Sequence, residues 1–452
     1  MTSKNVTLLG AGLVGSLLAV YLRRRGYAVD IYERRPDLRK AGAYGGRSIN
    51  LALSDRGFRA LEKVGLADEV RKVGIPMYGR MMHDEKGQLS YQAYGKAGQA
   101  IYSVSRGGLN FKMMDLAEKE GVRIHFNMRS TDVDLEEKIV HFEKDDTRQK
   151  MSLPYELLFG SDGAFSALRG SFQKRDRFDY SQDYLTAGYK ELTIPAGPNG
   201  EFLMEKNALH IWPRGSYMMI ALPNPDGSFT CTLFFPFEGE NSFAKLQSRE
   251  AVTAFFERTM PDAVPLMPSL LDDFFANPTS SLVTVKCSPW VYGDHSALIG
   301  DAAHAIVPFY GQGMNCGFED VFVLDELIDR YAENWPEILN SYQELRKPDG
   351  DAIADLAKAN FIEMRDKVAD ADFLLRKKIE AKIYTLYPDK WIPLYTMVTF
   401  SPDIRYSEAL RLGQVQDQIM DEVMARPDIR QNWEDVATTD FIHRLMANYD
   451  RN

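Results

Sequence analysis

The sequence has few cysteines. The three that it has, Cys231, Cys287 and Cys316, lie far apart in 452 residues and form no CxxC pair. A disulfide framework and a zinc ribbon are therefore excluded, and the composition suits a reducing compartment. The seven histidines are scattered without an HxxxH or HExxH pair, so we expect no metal site. Basic residues are also in the minority: 54 lysines and arginines against 64 acidic residues give a net charge of −10, which leaves no basic footprint for nucleic acid.

Long apolar runs are missing as well. No stretch approaches the ~20 apolar residues that a membrane helix needs, and the run Val6–Leu9 is too short for the apolar part of a secretory signal. The last segment, from Ser401 to Asn452, is polar and charged. We therefore expect a cytoplasmic protein without a membrane anchor. With 45% hydrophobic and 26% charged residues the chain is typical of globular proteins, and its length suggests two or three domains.

The first motif lies at the start of the chain. The apolar run Val6–Leu9 is followed by Gly10, Gly12 and Gly15 in a GxGxxG pattern, and then by a stretch typical of a helix. Gly10 permits a tight turn, Gly12 lets the backbone approach a pyrophosphate, and Gly15 lets helix and strand pack closely. A second strand ends at Glu33, which can accept hydrogen bonds from ribose hydroxyls. The pattern predicts a dinucleotide site, but it does not separate FAD from NAD, and a glycine-rich turn that serves packing alone would have the same sequence.

Two later segments repeat the arrangement of a strand followed by a turn. One apolar strand runs into Asp162 and another runs into Asp301, where each aspartate can accept ribityl or ribose hydroxyls. After Asp301, glycines flank Gln312 and would let the backbone lie against a flat ring. A helix is predicted from Phe318 to about Tyr331, and its N-terminus would offer partial positive charge to a reduced flavin. Each turn alone could be an ordinary one, whereas three in this order favour a flavin protein.

Taken together, these segments resemble a known family, the FAD-dependent aromatic hydroxylases, which are single-component flavoprotein monooxygenases. Within that family the chain is similar to the members that act on L-kynurenine, from near Val6 to about Ala409. One departure is Gly107, since the family has an acid after the arginine that corresponds to Arg106. The stretches that carry the resemblance are Gly46–Gly57, Arg177–Pro195, Leu209–Glu238, Gly300–Asn315 and Ile392–Ala409.

The resemblance implies an α/β fold in three parts. A Rossmann-like FAD-binding domain is expected at 1–178 and 286–350, interrupted by an antiparallel-sheet substrate domain at 179–285. A C-terminal helical region at 351–452 would cover the active site. FAD would be tightly bound, and NADPH would dock transiently, since no second GxGxxG is present. The FAD contacts that the resemblance implies are Gly10, Gly12, Val14, Gly15, Tyr32, Glu33, Arg35, Ala52, Arg106, Ser130, Asp301, Gly313, Met314 and Asn315.

The implied reaction is hydroxylation of L-kynurenine to 3-hydroxy-L-kynurenine with NADPH and dioxygen, a step of tryptophan degradation. Oxygen would come from a C4a-hydroperoxide of the flavin. The amine already enriches the substrate ring with electrons, so no side chain is expected to act as a catalytic base, and His304 is expected to have a packing or hydrogen-bonding role. The substrate contacts that the resemblance implies are Arg80, Tyr94, Asn360, Tyr395, Glu363, Met364, Phe309 and Pro308.

Other interpretations of these residues remain open. From the residues alone, Arg80 would be a surface arginine, Glu363 part of a solvated helix face, and Arg106 an exposed cap of the helix that follows it. A hairpin turn at Lys86-Gly87 could nevertheless bring Arg80 and Tyr94 onto one sheet face. Two further functions are possible on the same fold, hydroxylation of another aromatic acid and a flavin-binding interaction module. The sequence does not decide between a monomer and a homodimer.

Overall fold

The structure is a computed structural model that describes residues 5–40, 50–364, 370–435 and 440–444. The part of the stretch Gly46–Gly57 that precedes Asn50 lies outside the described residues. Among the helices of the described segments, none has the length and apolar character needed to cross a membrane.

The strands of the described residues form four sheets. In chain order they are β1 (Asn5–Leu9), β2 (Ala28–Tyr32), β3 (Asn50–Leu53), β4 (Ile75–Met77), β5 (Gly79–His83), β6 (Leu89–Ala93), β7 (Ile101–Ser105), β8 (Arg123–His125), β9 (Met128–Asp134), β10 (Ile139–Lys144), β11 (Lys150–Pro154), β12 (Leu157–Gly160), β13 (Asp179–Ile194), β14 (Ala208–Pro213), β15 (Met218–Pro223), β16 (Phe229–Pro236), β17 (Ser280–Ser288), β18 (Val291–Tyr292) and β19 (Ser296–Leu298).

Helices lie between the strands in the first part of the chain and follow one another after residue 300. They are α1 (Leu13–Arg24), α2 (Asp55–Lys63), α3 (Ala67–Val73), α4 (Arg106–Lys119), α5 (Ala167–Phe172), α6 (Arg249–Thr259), α7 (Leu270–Ala276), α8 (Asp301–His304), α9 (Gly313–Tyr331), α10 (Trp335–Ile362), α11 (Ala371–Leu386), α12 (Leu394–Phe400), α13 (Tyr406–Met424) and α14 (Ile429–Asn432). Short 3₁₀ turns occur at Val264–Leu266 and Pro308–Tyr310.

A six-stranded sheet in the order β18-β19-β12-β1-β2-β8 forms the centre of the part predicted to bind FAD, residues 1–178 and 286–350, which we call the cofactor half. All of its pairings are parallel except the edge pairing of β18 with β19. A parallel sheet covered on both faces needs apolar strands, and every residue of β12 is buried. Because β1, β12 and β19 are neighbours, the three turns that follow them meet at one edge, although they come from distant parts of the chain. The predicted Rossmann-like and discontinuous arrangement is therefore present.

A seven-stranded sheet in the order β17-β13-β16-β15-β14-β5-β6 forms the second half. It is antiparallel except where β14 pairs with β5. One of its faces packs against α6 and α7, whose phenylalanines share a buried cluster with Trp212 and Phe235. The hairpin β5–β6 precedes the range 179–285 that was predicted for the substrate domain. We propose that residues 79–93 belong to this domain, because they extend its sheet.

The C-terminal helices close the other face of the same sheet. Helix α10 packs between α9 and α13, and α12 packs between α13 and α2. A shared buried cluster joins sheet residues such as Phe234 to Phe309, to Phe361 on α10 and to Met397 on α12. The predicted helical region is thus present, and it contacts both the sheet and the cofactor half.

Candidate active site

In the GxGxxG turn, other backbone atoms lie very close to two of the glycines, whereas the space beside the third is empty. Gly10 has φ +97°, and a Cβ added there would lie 2.7 Å from the carbonyl oxygen of Ser161. A Cβ added at Gly15 would lie 2.2 Å from the carbonyl oxygen of Gly10, whereas one at Gly12 would meet nothing within 4 Å. Gly12 directly precedes α1, whose N-terminal amides attract anions. The open space beside Gly12 is therefore suited to a pyrophosphate.

Glu33 fixes this turn to the end of β2. Its carboxylate accepts hydrogen bonds from the backbone N–H of Ala11 at 2.9 Å and from the backbone and side chain of Arg35, both at 2.9 Å. Burial raises the pKa of Glu33, but the hydrogen bonds and charge of Arg35 outweigh burial and hold it below its usual value. The group stays ionised, and the second lone pair of Oε2, which accepts only from Ala11, can still accept a ribose hydroxyl.

Tyr32 and Ser130 lie beside Glu33. The ring of Tyr32 stacks on His125 at 4.7 Å and contacts Phe142 at 4.5 Å between ring centres. Ser130 lies on β9, directly opposite Phe142 in the three-stranded sheet, and the start of β9 donates a backbone hydrogen bond to the carbonyl oxygen of Glu33 at 2.8 Å. The structure therefore groups these two predicted contacts with Glu33.

Several polar groups at this edge of the parallel sheet have no partner among the described residues. Asp301 is exposed at the start of α8, Arg106 is exposed at the start of α4, and no hydrogen bond or ion pair of either is found within the described segments. The buried Oδ1 of Asp162 is unpaired, and so is the Oδ1 of Asn110, whose amide donates to Ala11 at 3.1 Å. Asn110 was missed from the sequence, because nothing in the local pattern of α4 marks it. Unpaired acceptors and a free guanidinium fit the ribityl hydroxyls and phosphates of FAD.

Asn315 holds together two backbone segments, at Ala52 and Gly311, which we call the flavin wall because the FAD ring is expected to lie against them. Its amide donates to the carbonyl oxygens of Ala52 at 2.9 Å and Gly311 at 2.8 Å, and its Oδ1 accepts from the backbone N–H of Ser54 at 2.9 Å. Gly311 has φ +68°, and a Cβ added there would lie 3.1 Å from the Cβ of Ala52. Because these three bonds use the side chain of Asn315, its predicted contact with FAD would come from its backbone.

Helix α9 begins earlier than predicted, at Gly313 instead of Phe318, so Gly313 and Met314 form its first turn. The early start was hidden by glycines that suggest a loop. The structure explains one of them, since a Cβ added at Gly317 would lie 2.6 Å from the side chain of Val14. Val14 also packs against Gly300, at 3.0 Å from an added Cβ. Val14 therefore sets the distance between the first and third turns.

Arg80 and Tyr94 come together with Tyr395, and Tyr94 belongs to a buried cluster against which Tyr395 and Ala52 also pack. As predicted, β5 and β6 form a hairpin around Lys86-Gly87, and the backbone N–H of Tyr94 donates to Tyr78 at 3.0 Å. The guanidinium carbon of Arg80 lies 4.9 Å from the ring centre of Tyr395 and 5.6 Å from that of Tyr94. The alternative of Arg80 as a surface arginine is wrong, because its Nε is buried and unpaired among the described residues.

Tyr94, Tyr395 and Tyr310 form a continuous stack of aromatic rings beside Arg80. Tyr94 stacks on Tyr395 with 5.1 Å between ring centres, and Tyr395 stacks on Tyr310 at 5.5 Å, both nearly parallel. Burial raises the pKa of Tyr94 and Tyr310 well above the usual value, so both stay neutral hydrogen-bond donors. Tyr310 was missed from the sequence, although its position between Phe309 and Gly311 was the available signal.

The remaining predicted substrate residues lie at the C-terminal end of α10 and in the short turn Pro308–Tyr310. Asn360 is buried and donates to the carbonyl oxygen of Phe309 at 2.7 Å and to the sulfur of Met364 at 3.3 Å. Phe309 stacks on Phe361 at 4.1 Å, whereas Pro308 is exposed. Glu363 caps the C-terminal end of α10 and is half-buried, 4.0 Å from Lys377 Nζ. Asn360 thus orients Phe309 and Met364.

A buried charged network lies behind the third turn. His304 Nε2 lies 2.6 Å from Asp320 Oδ2, which also accepts from the backbone N–H of Gly300 at 3.1 Å. Cys316 approaches His304 Nδ1 at 3.9 Å, so three potential metal ligands lie together. However, Arg346 donates to Asp320 at 2.7 Å and to the sulfur of Cys316 at 3.4 Å. A guanidinium among the ligands opposes a cation, and we interpret the cluster as an ion-pair network that positions α8.

Comparison with known proteins identifies the family. The family model described as FAD binding domain matches residues 3–357. The kynurenine 3-monooxygenase of Flavobacterium psychrophilum is 51% identical over 444 residues, which are 98% of this chain and 98% of that protein. The chain belongs to the kynurenine 3-monooxygenase family. The predicted family and its FAD cofactor are thereby confirmed.

Other kynurenine 3-monooxygenases are similarly related. That of Dictyostelium discoideum is 47% identical and covers 95% of both chains, and that of Sus scrofa is 45% identical over 93% of this chain and 88% of its own. Among solved structures, 2-methyl-3-hydroxypyridine-5-carboxylic acid oxygenase has a TM-score of 0.67 at 20% identity, covering 83% of this chain and 96% of its own. At that identity the likeness shows the fold alone, and it confirms the predicted fold class.

Proposed function

We propose that this chain hydroxylates L-kynurenine at the ring carbon next to the amine, and so forms 3-hydroxy-L-kynurenine from FAD-activated dioxygen and NADPH. The observation that carries the proposal is the buried Nε of Arg80, which lacks a partner among the described residues and lies beside Tyr94 and Tyr395. Kynurenine offers a carboxylate to such a guanidinium and an aromatic ring to the apolar wall. Family membership over nearly the whole chain supports the same substrate.

The cofactor half supplies the expected contacts for FAD, which when bound and reduced by NADPH provides the activated oxygen. The first turn of α1 and Gly12 would receive the pyrophosphate, and Arg106 would donate to a phosphate. Glu33 would accept from the ribose and Asp301 from the ribityl chain. The backbone at Ala52 and Gly311, fixed side by side by Asn315, would lie against the ring system.

The second half binds and orients the substrate. Arg80 would pair with the carboxylate of the amino-acid head, and the hydroxyl of Tyr94, also unpaired among the described residues, can donate to it. Phe309 and Phe361 close the apolar side of the pocket and exclude water, which would otherwise consume the activated oxygen. Holding the ring at a fixed distance from the flavin is the main contribution of these residues to the rate.

We further propose that the enzyme acts in the cytoplasm. Its three cysteines are free and buried, which suits a reducing compartment.

Stopped-flow measurement of flavin reduction by NADPH tests the proposed function. We expect L-kynurenine to accelerate reduction and to be converted to 3-hydroxykynurenine in the presence of dioxygen. Anthranilate and 4-hydroxybenzoate serve as competing substrates, since both are aromatic acids without an α-amino-acid head. Faster turnover of either acid would replace the proposal with the same reaction on another aromatic acid, and absence of any stimulation and product would refute it.

A further inference from the structure

Arg56 is fully buried on α2, close behind Ala52 and the flavin wall. Its exposed fraction is 0%, and its guanidinium donates to the carbonyl oxygens of Val398 at 2.7 Å, Met397 at 3.1 Å and Ser401 at 3.2 Å, and also to that of Ile404. Each of these acceptors is a backbone carbonyl at or just beyond the end of α12.

The carbonyl groups at the C-terminal end of a helix have no partner within the helix and carry partial negative charge. Arg56 therefore caps α12, and the ring of Tyr406 covers the guanidinium at 4.0 Å from its centre. Helix α12 has one and a half turns beyond Tyr395, the ring of the substrate pocket that lies nearest to Arg80. The position of Tyr395 thus depends on how Arg56 holds the end of this short helix.

The same guanidinium also contacts the cofactor side. Arg56 Nη1 donates to Glu319 Oε1 at 2.6 Å, and Glu319 is buried on α9, whose first turn contains Gly313 and Met314. Arg346 holds the other oxygen of Glu319 at 2.8 Å. One side chain therefore joins the helix that carries Tyr395 to the helix that begins at the flavin.

We propose that Arg56 is a positioning residue that couples occupancy of the substrate pocket to the flavin wall. This inference rests on the proposed function, from which it takes kynurenine as the substrate bound at Arg80. A substrate bound at Arg80 and Tyr395 restrains α12, and the carbonyls of α12 restrain Arg56. Arg56 in turn restrains α2, which follows Ala52, and α9 through Glu319. The coupling is reciprocal, so FAD at its wall also favours the substrate-binding position of α12.

The test compares Arg56→Lys with the wild-type holoenzyme. An ammonium group keeps the charge and can stay paired with Glu319, but its three donors on one atom cannot reach the four carbonyls and the carboxylate. We expect unchanged FAD content, a KM for kynurenine raised about tenfold, and stimulation of flavin reduction by kynurenine lowered about tenfold, because roughly one to two hydrogen bonds are lost. Values of KM and stimulation within twofold of wild type would overturn the proposal.

Arg59→Lys is the matched control. Arg59 lies on the same helix, contacts Glu319 at 3.3 Å, and packs over the ring of Phe322 at 4.6 Å. Toward the segment after α12 its contact is with the exposed carboxylate of Asp403, at 3.1 Å, and not with the carbonyl groups that Arg56 binds. An exposed ion pair of this kind contributes little to holding α12. We expect wild-type KM and wild-type stimulation. An equal loss in Arg59→Lys would show that any change of charge on α2 has this effect, and would overturn the specific role of Arg56.

A second variant and a second measurement keep the proposal testable if Arg56→Lys does not fold. Glu319→Gln keeps the cap of α12 and weakens the link to α9, so we expect lower stimulation with an unchanged KM, and unchanged stimulation would contradict the coupling. The second measurement is amide hydrogen exchange of residues 394–404 with and without FAD, which needs no substrate. FAD should slow this exchange in the wild type and slow it less in Glu319→Gln, whereas equal slowing in both would overturn the coupling even if kynurenine proved not to be the substrate.

Discussion

The guanidinium carbon of Arg80 lies 4.9 Å from the ring centre of Tyr395, so this side chain joins the last strand but one of the seven-stranded sheet to the C-terminal helices. A cation over an aromatic face is stabilised, but Nε of Arg80 remains unpaired among the described residues. A buried donor without a partner costs free energy, which a carboxylate ligand would recover. The geometry therefore points to a binding role for Arg80.

Arg80→Met should raise the KM for kynurenine about a hundredfold and leave the FAD content unchanged, because a buried charge-assisted hydrogen bond is lost far from the GxGxxG turn. Steady-state kinetics and the flavin absorbance of the purified variant measure the two quantities. Lys86→Met, an exposed change in the turn of the same hairpin, serves as the control and should have neither effect. Normal kynurenine affinity in Arg80→Met would refute the assignment.

Substitutions of two glycines in the first turn should have different effects, one on FAD affinity and the other on the stability of the apoprotein. Gly12→Ala places its Cβ in open space, so the apoprotein should keep its thermal stability while its affinity for FAD falls about tenfold or more, since the methyl group fills the space of the pyrophosphate. Gly15→Ala should instead destabilise the apoprotein by roughly 1–3 kcal/mol or more, because its Cβ would lie 2.2 Å from a carbonyl oxygen. Melting temperature and FAD titration check both. Equal stability losses would contradict this division.

Substitution of Arg106 tests whether its side chain contacts a phosphate of FAD or is only a solvent-exposed helix cap. If Arg106 donates to a phosphate of FAD, Arg106→Met should weaken FAD binding about tenfold or more without changing the melting temperature of the apoprotein. Lys112→Met, on the same helix and paired with Glu69 at 3.4 Å, is the control for loss of one positive charge. FAD affinity equal in the two variants would favour the interpretation as a cap.

The sequence was sufficient for features that depend on neighbours along the chain. The GxGxxG turn follows from the steric needs of its glycines, and the meeting of Arg80 with Tyr94 follows from one hairpin turn. Contacts between distant segments could not be predicted in this way. The four carbonyls that Arg56 binds lie more than three hundred positions later, and a backbone carbonyl has no signature in the sequence.

For a similar reason, the start of α9 was predicted too late, and the range 179–285 predicted for the substrate domain did not include β5 and β6. Strand β5 joins the seven-stranded sheet by pairing with β14, which is far away in sequence, and no local pattern indicates that partner. Residue 317 lies in α9 and is a glycine because Val14, from the start of the chain, packs where a side chain would be, and no local pattern indicates that contact. Asn315 was predicted as an FAD contact, and its three backbone partners became known only from the fold.

A histidine pair on the far face of the substrate sheet predicts how stability depends on pH. His210 Nε2 lies 2.8 Å from the carbonyl oxygen of Glu205 and must donate to it, so Nδ1 accepts from His83 Nε2 at 2.8 Å. His83 Nδ1 lies 2.6 Å from Asp262 Oδ2. His210 is 1% exposed, and burial lowers its pKa to about 4. The neutral form of His210 is therefore the one that the fold accepts.

The unfolded chain takes up a proton on His210 near its ordinary pKa of about 6.5, whereas the folded chain does so only near pH 4. Stability from this group is thus fully present above pH 6.5 and falls as the pH drops from 6.5 to 4, by up to about 3 kcal/mol. His210→Gln can keep the hydrogen bond to Glu205 without titrating. The difference in melting temperature between wild type and His210→Gln should therefore shrink between pH 7 and pH 4.5. A difference that stays constant over this range would show that His210 is not held neutral by the fold, since a group with equal pKa in both states contributes no pH dependence.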